Sequence, residues 1–337
     1  MNNIKKYISD LTNNKDLSQI DSIDAFSIIM TGNATNSQIG AFLASLKSKG
    51  ENIDEILGGA IVLRNNMEKI EAKPETLDIV GTGGDSKGTY NISTTCAIIT
   101  AACGIPVAKH GNKAVSSTSG SADILNQLGV NINISVKKVK QCLDKINIAF
   151  LNAPNHHPTM KNVAPVRSEL GIRTIFNILG PLANPAMVKY QLTGVYSKDW
   201  VNPIANVLYK LNFKNAWVVY GMDGMDEITT TDSTYINELK NGEIKEFYIK
   251  PEDFGIPRCK PSHLIGGDPS DNAKSLLELL KGVRSPYRDI VLLNTAASLK
   301  ICGKVKSISE GIKIAEDVID SGKALSCLEK LIDFTNN

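Results

Sequence analysis

The sequence predicts an α/β fold: a small helical domain followed by a larger domain with a mainly parallel central sheet and one β-hairpin. Two observations predict it. Residues 1 to about 70 read as helices alone, and from Leu77 onward short apolar runs alternate with amphipathic stretches. Strand–helix–strand alternation is the pattern of parallel strands joined by right-handed crossovers.

The helices come first. Ile4, Ile8 and Leu11 share one face, as do Ile23, Phe26, Ile29 and Met30. Thr35 with Gln38 reads as a capping box before Ile39, Phe42, Leu43 and Leu46. Asn52 caps a fourth helix that carries Ile53, Ile56, Leu57, Ala60, Ile61 and Leu63. Four short helices leave apolar surface that must pack elsewhere in the chain or on a second subunit.

The strands follow. LDIVG (77–81), IPVAKHG (105–111) and IAFLNAP (148–154) are buried-strand runs, separated by the helices TTCAIITAACG, SADILNQLG and VKKVKQCLDKI. VAPVRSELG and TIFNIL return to helix; QLTGVYS and AWVVYGM are further strands around a helix at 200–212. INELKNGEIKEFYI is a hairpin turning at Asn241-Gly242. Helices at about 270–281 and 287–301, then a Ser307–Glu310 capping box, complete the chain.

Composition narrows the class. The 337 residues are 42% hydrophobic and 21% charged, with room for about two domains. A net charge of +2 argues against a general polyanion binder. Six scattered cysteines without a CxxC pair read as buried free thiols in a reducing compartment. The N-terminus lacks a signal-peptide core, and no apolar run reaches the ~20 residues of a membrane span. The expected location is the cytoplasm.

Four stretches carry chemistry. VGTGGDSKGTYNIST (80–94) leaves a strand and enters a helix, with Gly81, Gly83, Gly84 and Gly88 allowing close backbone approach. The next helix N-terminus, capped by Ser93 or Thr94, favours an anion. Residue Ser86 breaks both the Walker and the dinucleotide-binding patterns. AKHGNKAVSSTSGSAD (108–123) follows another strand with Lys109, His110 and Lys113 and a run of small hydroxylated residues. It reads as a second phosphate cradle, although Ser119 or Ser121 serves equally well as a helix N-cap.

Arg167 and Arg173 lie in APVRSELGIRTIFNILGPLANP, near His156 and His157. Each is either a surface snorkeller or a pocket wall, where guanidinium would pair with a carboxylate. YGMDGMDEITTT (220–231) gathers Asp223, Asp226 and Glu227 in a loop leaving a strand. Such a loop is either a solvated acidic turn or a Mg²⁺ site shared with substrate phosphates; two anion cradles nearby favour the second.

Together these stretches resemble the anthranilate phosphoribosyltransferase family. That family's pattern is a GTGGD…NIST loop, a KHGN-[RK]-xxSS loop, an R-x-x-LG-x-RT-x-FN-x-LGPL-x-NP stretch and a G-x-DG-x-DE loop. All four occur here in order, as GTGGDSKGTYNIST, KHGNKAVSS, RSELGIRTIFNILGPLANP and GMDGMDE, across nearly the whole chain. The resemblance implies the nucleoside phosphorylase/phosphoribosyltransferase type of fold. The helical domain (1–70) would be joined by helices from about 163–182, the rest (71–337) would bind the phosphoribosyl donor, and the protein would be a homodimer. Lys113 stands where many members carry arginine, keeping the charge but losing the planar fork.

The resemblance further implies transfer of a phosphoribosyl group from phosphoribosyl pyrophosphate to anthranilate with Mg²⁺. Gly81, Gly84, Asp85, Thr89, Asn91, Ile92, Ser93 and Thr94 would bind the donor. So would Lys109, His110, Gly111, Asn112, Lys113, Ala114, Val115, Ser116, Ser117 and Ser121. Ser93, Asp226 and Glu227 would hold Mg²⁺; Gly81, Asn112 and Arg167 would contact anthranilate. Asp85 would serve either the metal or the ribose hydroxyls. An aromatic amine is neutral at pH 7 and needs no strong base, and no dedicated catalytic base is identified. His110 or His157 could take the proton afterwards. A pyrimidine nucleoside phosphorylase would need neither the acid pair nor two phosphate cradles, and a nucleic-acid-binding relative would lack the intact GTGGD loop and be more basic.

Overall fold

The computed structural model describes residues 4–85, 87–113 and 119–337. They form two compact units. One takes the chain up to Lys69 together with Pro154–Pro185; the other takes Ile70–Ala153 with Ala186–Asn337.

The first unit is helical: Ile4–Thr12, Gln19–Met30, Asn36–Lys49 and Ile53–Asn65, then Ala164–Leu170 and Ile175–Leu179 from the middle of the chain. Both N-terminal capping boxes form, Thr35 with Gln38 and Asn52 with Glu55. Glu55 is fully buried because it is fully paired. Its carboxylate accepts from the N–H groups of Leu17 (2.9 Å) and Asn52 (2.8 Å) and from Lys49 Nζ (3.0 Å). Part of the apolar surface that four helices leave over is covered within the unit. Phe26 meets Phe42 edge-on at 5.5 Å and Phe176 at 5.9 Å. Gly59 makes room, since a Cβ there would lie 2.9 Å from Leu179 Cδ1.

The second unit is built on a seven-stranded sheet: β1 Leu77–Gly81, β2 Val107–Gly111, β3 Ile148–Asn152, β4 Tyr190–Gly194, β5 Asn215–Gly221, β6 Thr234–Lys240 and β7 Glu243–Ile249. Its order is β3-β2-β1-β4-β5-β6-β7. The first five strands are parallel, and β6 and β7 add as the expected antiparallel hairpin. Asn241 (φ 51°) and Gly242 (φ 83°) make its turn, both left-handed as a two-residue hairpin requires. The strand order reverses direction between β1 and β4. In open α/β sheets the crevice beyond the carboxyl ends at such a reversal is where ligands bind. The two glycine-bearing loops and the acidic loop all leave that edge, after β1, β2 and β5.

Three expected caps differ. The helix Ile92–Ala102 begins two residues earlier than a Ser93 cap allows and three earlier than a Thr94 cap, with Asn91 at the cap position and no side-chain cap bond. The helix Ser121–Gln127 begins after Gly120, whose N–H donates to Asp123 Oδ2 (2.9 Å), so neither Ser119 nor Ser121 caps it. Ser307 accepts from Glu310 N, but Glu310 reaches past it to Lys306 N (2.9 Å), so only half of that capping box forms.

Candidate active site

The acidic loop after β5 is held tightly against its neighbours. Asp223 does not join the other two acids in an open cluster. Its carboxylate accepts from Met225 N (3.1 Å), Thr229 Oγ1 (2.6 Å) and Thr231 Oγ1, and so shapes the loop. Asp226 is pressed onto β1 and β4. A Cβ on Gly81 would lie 2.6 Å from Asp226 Oδ2, and one on Gly194 would lie 1.5 Å from the Asp226 carbonyl oxygen. Gly83 N–H donates to Asp226 Oδ2 at 2.9 Å, tying the first glycine loop to the acidic one.

The electrostatics are those of crowded like charges. Asp226 is pushed up to about 7, first by burial and then by the facing Asp85 carboxylate, with which it shares a hydrogen bond. Glu227 is raised well above the usual carboxylate range by burial and by Asp226, against the pull of Lys109. Lys109 is almost fully buried, and burial lowers it despite the acids around it. Its ammonium donates to Ile79 O (2.7 Å) and Ser93 Oγ (3.2 Å).

Acids held this close call for either a shared proton or a cation. Among the described residues, no three His, Cys, Asp or Glu side chains converge as a ready-made metal cage. An acid pair short of its own counter-charge still fits Mg²⁺, which keeps waters and takes the rest of its ligands from substrate phosphates.

The first loop is braced from an unexpected direction. Thr89 forms a β-bridge with Ile265, Tyr90 N donates to Leu264 O (3.1 Å) and Gly266 N donates to Gly88 O (2.8 Å). Asn91 Oδ1 accepts from Ser119 Oγ and Asn272 Nδ2, both at 3.1 Å, and Asn91 Nδ2 donates to Ser119 O at 3.1 Å. Asn272 is itself buried and fixes Gly267 N at 2.8 Å. The stretch Leu264–Asn272 therefore shapes both glycine-bearing loops. The only sequence sign of it is the GGD before the helix Pro269–Leu280.

Gly83, Gly84 and Gly88 all have positive φ, as a loop folding its N–H groups around an anion requires. At the N-terminus of Ile92–Ala102, which has no side-chain cap, the Ser93 amide faces the Glu227 carboxylate and ties this helix to the acidic loop. The Thr94 hydroxyl is buried without a partner among the described residues.

In the second loop His110 is buried, with its N–H donating to Asp78 Oδ1 (3.1 Å). Asn112 and Lys113 are exposed, and Asn112 O accepts from Ala122 N (3.1 Å) and Ser121 Oγ (3.3 Å). Ala114, Val115, Ser116 and Ser117 lie outside the described residues.

Arg167 belongs to the helical unit, on Ala164–Leu170. It is half-buried with its guanidinium 5.3 Å from the Phe176 ring centroid, while Arg173 is exposed. In the same unit His156 is fully buried, its Nδ1 bonded to Glu68 O (2.8 Å), and burial pushes His157 down to about 4.

Comparison with known proteins gives a consistent picture. Residues 73–325 match the glycosyl transferase family, a/b domain, and residues 5–67 match the glycosyl transferase family, helical bundle domain. The chain is 49% identical over 331 residues to the anthranilate phosphoribosyltransferase of Rhodospirillum rubrum, covering 98% of this chain and 95% of that one. It is 48% identical over 336 residues to that of Methylocella silvestris, covering 100% and 96%. The crystal structure of anthranilate phosphoribosyltransferase from Thermus thermophilus matches with a TM-score of 0.92 at 36% identity, covering 98% of this chain and 99% of that one. The Saccharomyces cerevisiae counterpart, solved with phosphoribosyl pyrophosphate and Mg, matches at 0.91 and 30%, covering 99% and 98%.

Proposed function

The chain belongs to the anthranilate phosphoribosyltransferase family, and from that premise we propose how its residues share the reaction. The activity is glycosyl transfer in tryptophan biosynthesis, from phosphoribosyl pyrophosphate to the amine of anthranilate. A bond forms between the amine nitrogen and the anomeric carbon while the bond from that carbon to the pyrophosphate oxygen breaks. Pyrophosphate leaves with the electron pair, and the new secondary amine sheds one proton.

The observation that carries the division of roles is the single sheet edge from which three chemically different loops leave. In the loop after β1, Gly81, Gly84, Thr89 and Asn91 to Thr94 bind the donor, with Asp85 facing Asp226. The loop after β2 adds cations and hydroxyls from Lys109 to Ser117 and from Ser121. By the family pattern Gly81 and Asn112 serve anthranilate, and the Arg167 guanidinium suits a carboxylate. Asp226, Glu227 and Ser93 hold Mg²⁺, which supplies charge neutralisation for the departing pyrophosphate. The residues do the rest by positioning and by preorganised dipoles, without a dedicated base.

Six free thiols support a cytoplasmic setting, and among the described residues no helix is long and apolar enough to cross a membrane. Ile20, 80% exposed on the helical unit, supports a homodimer formed through that unit; a monomer by light scattering at micromolar concentration would remove it. Cell fractionation that finds the protein outside the cytosol would remove the first. The reaction itself is tested by anthranilate fluorescence, which should decay only when donor and Mg²⁺ are both present. A constant signal from folded protein overturns the assignment. Replacing Asp226 and Glu227 together with Ala should move the Mg²⁺ midpoint of turnover; an unmoved midpoint overturns their role.

A further inference from the structure

Asn152, the last residue of β3, is only 6% exposed, and its Oδ1 has no hydrogen-bond partner among the described residues. A buried amide oxygen left without a donor is costly; Asn152 shares that state with other buried polar atoms among the described residues, and its place in the sheet sets it apart. Its position suggests the use. Asn152 pairs in register with Gly111, the last residue of β2. In-register residues of parallel strands project on the same face, as do residues two apart on one strand. That face is identified by Gly111, where a Cβ would lie 2.2 Å from Ser121 Oγ and 2.8 Å from the Phe150 ring. Asn152 therefore stands at the carboxyl edge of the sheet, on the side carrying Ser121 and one strand from where Asn112 opens the second loop.

The missing partner must be a donor. Phosphate oxygens cannot supply one; an aromatic amine can, and so can a ribose hydroxyl, but the nearness of Asn112 favours the amine. We propose that Asn152 Oδ1 accepts an N–H from the amine of anthranilate, aiming the nitrogen lone pair at the anomeric carbon. This rests on the assignment of Asn112 to the anthranilate end of the site. As the N–C bond forms, the nitrogen becomes cationic and its N–H a stronger donor. The hydrogen bond is then tighter in the transition state than in the bound substrate, which raises kcat and not merely affinity.

Asn152→Leu keeps the branched shape and removes the acceptor. It should lower kcat about tenfold or more, leave the donor KM within about twofold and leave Tm unchanged or higher. Asn152→Asp keeps an acceptor oxygen and should hold kcat within about threefold of the parent. Wild-type kcat in Asn152→Leu overturns the proposal. A raised donor KM with kcat intact overturns it too, by assigning the amide to the donor. Equal activity loss and a lowered Tm in both variants overturns it by making the residue structural. None of these outcomes resembles failure of the family assignment, in which the unaltered protein would not consume anthranilate at all.

Discussion

The backbone of Asp226 lies directly against Gly194, so close that a single methyl group on that glycine would sit 1.5 Å from the aspartate carbonyl oxygen. Both partners are main chain at the point of contact, so no rotamer change relieves the clash. Gly194→Ala must therefore displace the acidic loop. A shift of about 1 Å at a reacting centre costs on the order of 100-fold. The expected result is a kcat/KM at least that much lower with far-ultraviolet circular dichroism unchanged. Near-normal turnover would show that the loop position is not critical.

Arg167 stacks on Phe176 with its guanidinium held half-buried. Arg167→Ala should raise the anthranilate KM about tenfold or more and leave the donor KM within about twofold. Arg167→Lys should recover only part of the loss, because a lysine keeps the charge without the two-pronged geometry. Steady-state kinetics with each substrate varied in turn decides it; equal effects on both KM values would remove the assigned role.

His157 gives the protein a defined acid sensitivity. Burial, reinforced by the neighbouring His156, pushes it down to about 4 from 6.5. A group whose folded value lies below its unfolded one binds more protons when unfolded between those two values. Its contribution is complete above about pH 6.5 and declines as the pH falls toward 4. At pH 5 the loss is about 2 kcal/mol relative to pH 8. Urea unfolding of the parent and of His157→Gln at both pH values should show a shallower pH dependence in the variant. Identical dependence would place the sensitivity elsewhere.

Asn237 of β6 is fully buried with neither side-chain oxygen nor nitrogen partnered among the described residues. Val, β-branched and suited to a strand, removes both orphaned atoms. Asn237→Val should stabilise the protein by about 1–3 kcal/mol with kcat unchanged. A lower Tm would mean that the amide is satisfied, for instance by an internal water.

Much of this site is written in local sequence. The loops VGTGGD and KHGN announce themselves because positive φ and close approach demand glycine, and β1 and β2 end where those glycines stand. Pairings distant in sequence left no such trace. The bracing of Asn91 by Asn272 joins residues 181 apart. An isolated asparagine near a helix start is too common to signal that pairing. Asp223 is indistinguishable in sequence from Asp226; only the folded loop shows Thr229 and Thr231 donating to it. The departures from the expected helix caps share a cause: side chains were drawn to competing partners, Ser93 to Lys109, Ser119 to Asn91, and Glu310 to Lys306 N while Ser307 still caps its helix.

The helical unit is assembled from two stretches of chain, up to Lys69 and again from Pro154, with most of the parallel sheet encoded between them. Phe26 therefore cannot meet Phe176 until the ribosome has added 150 further residues. At about 5–20 residues per second that is a wait of roughly 7–30 s. During synthesis the N-terminal helices must stand with part of their apolar face uncovered while three strands of the other unit, β1 to β3, are already made. The unit begun first thus cannot close on its own opening stretch: it waits until β1 to β3 of the other unit have been made, and that other unit is finished only at Asn337.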